Sequence, residues 1–149
     1  MNYPELEKWD ARFITLAEHI ASWSRDPSTK VGAVIVDEDK RVVSLGYNGF
    51  PKGVQDTPDR YANREVKYRM VCHAERNAIL FARRDLTGCI LYTTFFPCAA
   101  CAGMIIQAGI DEVVTIARSA DERWAADIET AHVMLAEANV AIRVLDVPQ

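Results

Sequence analysis

Cys72-His73-Ala74-Glu75, answered further along by Pro97-Cys98-Ala99-Ala100-Cys101, is where this chain gathers residues able to do chemistry. One imidazole and two thiols, His73, Cys98 and Cys101, are donors that suit zinc. A catalytic zinc typically takes three protein ligands and keeps a fourth position open for water. Glu75 stands beside them as a group that could move protons. Zinc draws the pKa of its water down towards about 7. The expected chemistry is therefore attack by water at neutral pH, with Glu75 as the base.

The spacing has physical reasons. Cys98 and Cys101 are three apart, neighbours on one helical face. Pro97 suits a helix start, where its missing N–H is not needed. The positive end of that helix favours thiolates, the form that binds metal. His73 and Glu75 are two apart and do not share a helical face, so one can ligate while the other addresses water and substrate. Taken alone, each piece has a plainer reading. A C-x-x-C also fits a redox pair or half of a structural zinc knuckle, and an H-x-E is an ordinary helix start. A structural zinc site usually has four protein ligands, and no fourth is evident here. The conjunction, in this order, is the pattern of a zinc deaminase.

The 149 residues amount to about one domain, read as a single unit over 1–149, and 50% of them are hydrophobic, enough for one sizeable core. The net charge of -4 gives no bulk footprint for nucleic acid. The N-terminal stretch lacks the basic-then-apolar pattern of a signal peptide, and no apolar run approaches the roughly 18 residues of a membrane span. Cys72 and Cys89 read as buried thiols. A cytoplasmic enzyme with reduced cysteines is expected.

The elements that must position the site follow from periodicity. Leu6, Trp9, Phe13, Leu16, Ile20 and Trp23 recur at helical spacing, so a helix lays these side chains on the core, with His19 solvated. Residues 31–36 and 42–47 read as a hairpin across a turn at 37–40. Residues 49–72 form a long charged connection with a short helix near 60–68. A helix over 73–84 turns Ile79 and Leu80 inward. A strand at 89–94, a helix at 98–107 capped at Gly109, and a strand at 112–117 come next. A helix from an Asp121 cap to 138 buries Trp124, Ile128, Ala131 and Leu135, and a strand at 140–145 ends the series. This alternation implies an α/β protein, a three-layer α/β/α sandwich around a five-stranded mixed sheet. The late strands should be parallel because helices connect them.

The chain resembles the cytidine and deoxycytidylate deaminase superfamily, and within it the deoxycytidylate (dCMP) deaminases. The resemblance rests on the metal motifs. It rests also on Ser24-Arg25-Asp26-Pro27 leading to Lys30-Val31-Gly32-Ala33, on residues 46–53, on His73-Ala74-Glu75-Arg76-Asn77-Ala78-Ile79, on residues 91–98 and on residues 105–110. It implies a cytidine deaminase-like fold with Zn2+ at helix N-termini. It implies hydrolysis of dCMP to dUMP and ammonia, with Glu75 as the proton carrier. Asn48 matches an asparagine that contacts the sugar, although on its own it reads as a strand-end turn residue. The backbone N–H of Ala74 is expected to meet the base carbonyl, and Phe96 to pack on the ring.

A 5′-phosphate calls for cations, and Arg25, Lys30, Lys52, Arg76 and Arg84 are the candidates, each of which is by itself an ordinary surface residue. The resemblance further implies a homo-oligomer, a hexamer or dimer, with dCTP and dTTP as effectors at Gly46, Tyr47, Asn48, Gly49 and Lys52. Competing expectations are deamination of dCTP, of cytidine or deoxycytidine, of a riboflavin precursor or of tRNA adenosine, a non-catalytic zinc-binding module and, last, a thiol redox protein. The acidic balance speaks against tRNA.

Overall fold

The structure, a computed structural model, describes residues 3–119 and 121–147. It opens with α1 (Lys8–Ala21), whose first turn is capped by the Glu7 carboxylate accepting from the Trp9 and Asp10 amides. The hairpin is β1 (Gly32–Val36) and β2 (Val42–Tyr47). Then come α2 (Pro58–Ala62), α3 (Arg64–Met70) and α4 (Ala74–Ala82). The alternation closes with β3 (Ile90–Thr93), α5 (Ala99–Gln107), β4 (Glu112–Ile116), α6 (Glu122–Glu137) and β5 (Ala141–Leu145). No helix among the described residues is long and apolar enough to cross a membrane.

The sheet order is β2-β1-β3-β4-β5. β1 runs antiparallel to both of its neighbours, whereas β3, β4 and β5 are mutually parallel, as their helical crossovers require. The pleat sorts side chains to two faces. Ala33, Ile35, Leu91 and Val113 pack against Ala74 and Ala78 of α4, Ala102 and Ile105 of α5, and Ala131 and Leu135 of α6. Val34, Val36, Tyr92, Val114 and Ile116 pack on Phe13, Ile14 and Ala17 of α1. The sandwich therefore has one helix on one face and three on the other. Cys98 follows the carboxyl end of β3, where ligand sites of open α/β sheets commonly lie.

Five expectations are corrected. Trp23 falls beyond α1 and is 53% exposed, standing edge-on to His19 and Tyr47. Leu80 is 60% exposed, because α4 turns Ala74, Glu75 and Ala78 inward. The connecting segment holds two helices, broken at Asn63, whose extended backbone lets its side chain cap α3 at the Val66 amide. Trp124 and Ile128 are half-buried and line a cavity, while Ala131 and Leu135 are the parts of α6 that reach the core. Cys89 is buried as expected, but Cys72 is only half-buried.

Gly46 shows how α4 is seated. A Cβ there would stand 2.4 Å from the Ala74 carbonyl oxygen and 2.5 Å from the Ala78 amide nitrogen. The absent side chain is what lets β2 and α4 touch backbone to backbone. Gly46→Ala is expected to push α4 outward and to cost about 1–3 kcal/mol of stability by overpacking. Calorimetric unfolding checks this, as a melting temperature lowered by several degrees.

Candidate metal centre and cavity

His73 is the N-cap of α4 and Cys98 the N-cap of α5, both in extended backbone and neither making a side-chain cap bond. Their side chains are turned to one another instead. His73 Nδ1 lies 3.5 Å from Cys98 Sγ and 3.4 Å from Cys101 Sγ. Among the described residues these three form the one group of possible metal ligands, with donor atoms all within 4.8 Å of one another. The spacing can be tested against zinc. Tetrahedral bonds of about 2.3 Å to sulfur and about 2.05 Å to nitrogen place S and N about 3.5 Å apart. The triad is set at that separation, so the residues fit the ion.

Charge in the triad is consistent with a metal-binding set. The Cys98 thiol is lowered to about 4, chiefly because Cys101 donates a hydrogen bond to it, with His73 adding to the effect against burial. Cys101 is correspondingly pushed up, since it keeps the proton of the pair. His73 is raised, first by its hydrogen bond to Cys98. In the free protein His73 and Cys98 thus each favour the other's charged form, an attraction that a bound cation would take over.

Glu75 begins the same helix as His73 and is 3% exposed. Its carboxyl is raised, with burial as the main cause and the field of His73 opposing it. Thr93 at the end of β3 places its hydroxyl 3.0 Å from Glu75 Oε1 and 3.0 Å from the Phe95 carbonyl oxygen. Its single proton serves one acceptor at a time, so Thr93 can hold Glu75 in either protonation state. Thr93 escaped the sequence reading, because a threonine ending a strand carries no signal of its own.

Beside the triad lies a cavity of about 620 Å³, lined by His73, Ala74, Glu75 and Cys98 at the metal end. That volume suits a small-molecule ligand. Asn48 and Phe96 also line it. Asn48 is 6% exposed, its Oδ1 accepts from the Val31 amide at 2.8 Å and its Nδ2 donates to the Thr29 carbonyl at 2.9 Å. Much of its bonding capacity is thus committed to joining β2 to the loop before β1. Phe96 stacks on His132 with ring centres 4.3 Å apart.

The expected phosphate cations do not converge here. Arg25 points to solvent and pairs with Asp56 at 3.2 Å. Lys30 is exposed and donates to the Ser24 carbonyl. Arg84 lies beyond the carboxyl end of α4, in a separate hollow with Asp37, Glu38 and Arg41. Arg76 is half-buried next to Cys72 and does not line the cavity. Of the residues expected to hold an effector, Gly46 is buried under α4, Tyr47 is exposed against Trp23, Gly49 pairs with Cys72, and Lys52 sits 5.0 Å from the Phe81 ring. The cations that do line the cavity are Arg64, Lys67 and Arg123. Arg64 has no hydrogen-bond or ion-pair partner among the described residues, and its field is felt by Asp121. Arg123 pairs with Asp121 at 3.0 Å and donates to the Tyr68 hydroxyl at 3.2 Å. Neither arginine was singled out from sequence as a ligand, because α3 and the start of α6 meet only in the fold.

Comparison with known proteins agrees with this geometry. Residues 7–117 match the model of the cytidine and deoxycytidylate deaminase zinc-binding region. An uncharacterised deaminase from the luxG 3′ region of Aliivibrio fischeri is 48% identical over 92% of this chain and 93% of its own length. The human deoxycytidylate deaminase is 43% identical over 72% of this chain, a match that spans 64% of the human protein. The chain therefore covers less than two thirds of that relative. The fold is shared with the dCMP deaminase of cyanophage S-TIM5, at a TM-score of 0.72 and 24% identity, covering 94% of this chain and 99% of that one. With the zinc-binding region matched across most of its length and a bacterial relative matched nearly end to end, the chain belongs to the cytidine and deoxycytidylate deaminase family.

Proposed function

We propose that the protein acts as one zinc-dependent domain that hydrolyses dCMP to dUMP and ammonia. The observation that carries this reading is the juxtaposition of a buried carboxyl, Glu75, with the His73, Cys98 and Cys101 triad. Both stand at one end of a cavity of nucleotide size whose lining includes the arginines Arg64 and Arg123. The relatives named deoxycytidylate deaminases support the same substrate.

Zinc held by His73, Cys98 and Cys101 supplies Lewis-acid activation of water, drawing its pKa towards about 7. Glu75 accepts a proton from the attacking water as the oxygen bonds to C4 of the cytosine ring, and delivers it to N3. The second proton, from the hydroxyl now on C4, passes through Glu75 to the 4-amino group; C4=O forms as the C4–N bond breaks, and ammonia leaves. Burial raises the Glu75 carboxyl above its ordinary value, which makes it a stronger base than a free carboxylate for this proton transfer. The first-turn amides of α4 have no side-chain cap, so the Ala74 N–H is available to the base carbonyl. Phe96 offers a ring face, already oriented by His132. Asn48 meets the sugar with what its backbone bonds leave over.

The 5′-phosphate is assigned to Arg64 and Arg123 in place of Arg25, Lys30 and Arg84, since only the first two reach the cavity wall. Charge-assisted hydrogen bonds contribute about 1.5–3 kcal/mol each. Arg64→Ala and Arg123→Ala are each expected to raise KM for dCMP by about 10–100-fold, while deoxycytidine, which lacks the phosphate, is turned over as before. Steady-state kinetics on both substrates tests this. If neither variant separates the two, the nucleotide reading fails.

Assembly as a homo-oligomer in a reducing, cytoplasmic compartment completes the reading. Trp23 and Tyr47 meet edge-on at the exposed β2 edge, Leu80 and Phe81 are exposed on α4, and all four cysteines are free. Sedimentation of the zinc-loaded protein measures the assembly.

A further inference from the structure

Helix α3 walls the cavity with little apolar hold on the body. Its seven residues bury a single side chain, and that side chain is a lysine, Lys67. A helix this short does not sustain itself in water. Lys67 Nζ donates to Asp26 Oδ1 at 2.9 Å and to Ser28 Oγ at 2.8 Å, and stands 2.8 Å from Asp26 Oδ2. The two charged side chains are 11% and 1% exposed. Asp26 also accepts from the Ser28 amide at 2.9 Å and the Thr29 amide at 3.2 Å, so the acceptor is itself held still. With its donors engaged in this way, Lys67 is not a spare cation for a ligand.

A buried ion pair adds little net stability compared with apolar residues of the same size. Its consequence is orientation. Fixing Lys67 fixes the rotation of α3 about its axis, and that rotation aims Arg64, three residues earlier on the same face, and Tyr68, which contacts Arg123 and Trp124. We propose that the Asp26–Lys67 pair is the positioning element of the α3 wall, setting how tightly a phosphorylated substrate is held and leaving the bond-breaking step alone. This rests on the nucleotide reading above.

The test compares zinc-loaded Lys67→Met, Asp26→Asn and the double variant with the wild type. Melting temperature, zinc content, kcat and KM for dCMP are measured, together with hydrogen exchange of the α3 amides. Lys67→Met alone should lower the melting temperature, because it leaves a buried carboxylate without its cation. The double variant should recover most of that loss. In both, KM should stay raised by about 10-fold with kcat within about threefold, and α3 should exchange faster than in the wild type. A double variant that regains wild-type KM along with its melting temperature overturns the proposal, as does a fall in kcat at unchanged KM. If the wild type does not deaminate dCMP, it is the substrate reading that falls. Exchange then decides: faster α3 exchange in the recovered double variant supports the positioning role, and wild-type protection overturns it.

Discussion

Glu75→Gln is expected to bind zinc as the wild type does and to deaminate dCMP about 10²–10⁴-fold more slowly, the usual contribution of a positioned acid–base group. The substitution keeps size and shape. Thr93, 3.0 Å from Glu75 Oε1, can still donate to an amide oxygen, so the floor of the cavity should not rearrange. What is lost is the ability to accept and return a proton. Metal analysis and ammonia release separate the two effects. Full activity in this variant would sink the assignment of Glu75, and loss of zinc would show a structural role instead. The sign of the stability change is a further check. Burial raises the Glu75 carboxyl above its ordinary value, so in the metal-free fold its ionised form is disfavoured above that value. Replacing it by a neutral amide should leave the melting temperature of the metal-free protein at neutral pH unchanged or higher.

The metal end of the site could be read from sequence because its residues come as short-range motifs. His73 with Glu75, and Cys98 with Cys101, sit on single helix starts, and only one contact between two helices remained to be made. The sheet was readable for the same reason, strand by strand. Its order was not, since periodicity does not say that β1 lies between β2 and β3. The far end of the cavity is assembled from pieces distant in sequence. Lys67 meets Asp26 across 41 residues, and Arg123 meets Tyr68 across 55. No local pattern marks such pairs.

Arg84 shows why a cation chosen from sequence need not reach the cavity. It follows α4, whose first turn carries Glu75. A helix of nine residues spans about 13 Å at about 1.5 Å per residue, so a side chain beyond its carboxyl end is carried away from the metal. The same geometry recommends Arg64, at the start of a helix that faces the cavity. Asn48 is a mixed case. Its place at a strand end was correct, and the bonds that hold it there are to the backbone of Val31 and Thr29. A residue can thus serve the turn and the ligand together, which is why composition and spacing alone left both readings open.

Removing the metal should abolish deamination, and adding zinc should restore it. The more searching readout is the thiols. In the chelated protein Cys98 is expected to react with a thiol reagent ahead of the other cysteines, because its thiol is lowered to about 4 by the Cys101 hydrogen bond and then by His73. The sign follows directly. A lowered thiol is ionised throughout the range from pH 6 to 8, so its labelling rate should be nearly flat there. An ordinary thiol, with a pKa of about 8.5, loses thiolate by roughly 100-fold over the same two units. Cys72 and Cys89 are raised, mainly by burial, and should label slowly with a steep dependence on pH. In the zinc-loaded protein Cys98 and Cys101 should both be protected, because each sulfur's lone pair is engaged by the ion. Mass spectrometry of labelled peptides assigns the sites. Equal labelling of Cys98 with and without zinc would remove it from the ligand set, and with it the match between the observed S···N distances and a tetrahedral ion. Protection of both cysteines, reversed by chelation together with the loss of turnover, would tie the metal, the triad and the reaction to one place in the fold.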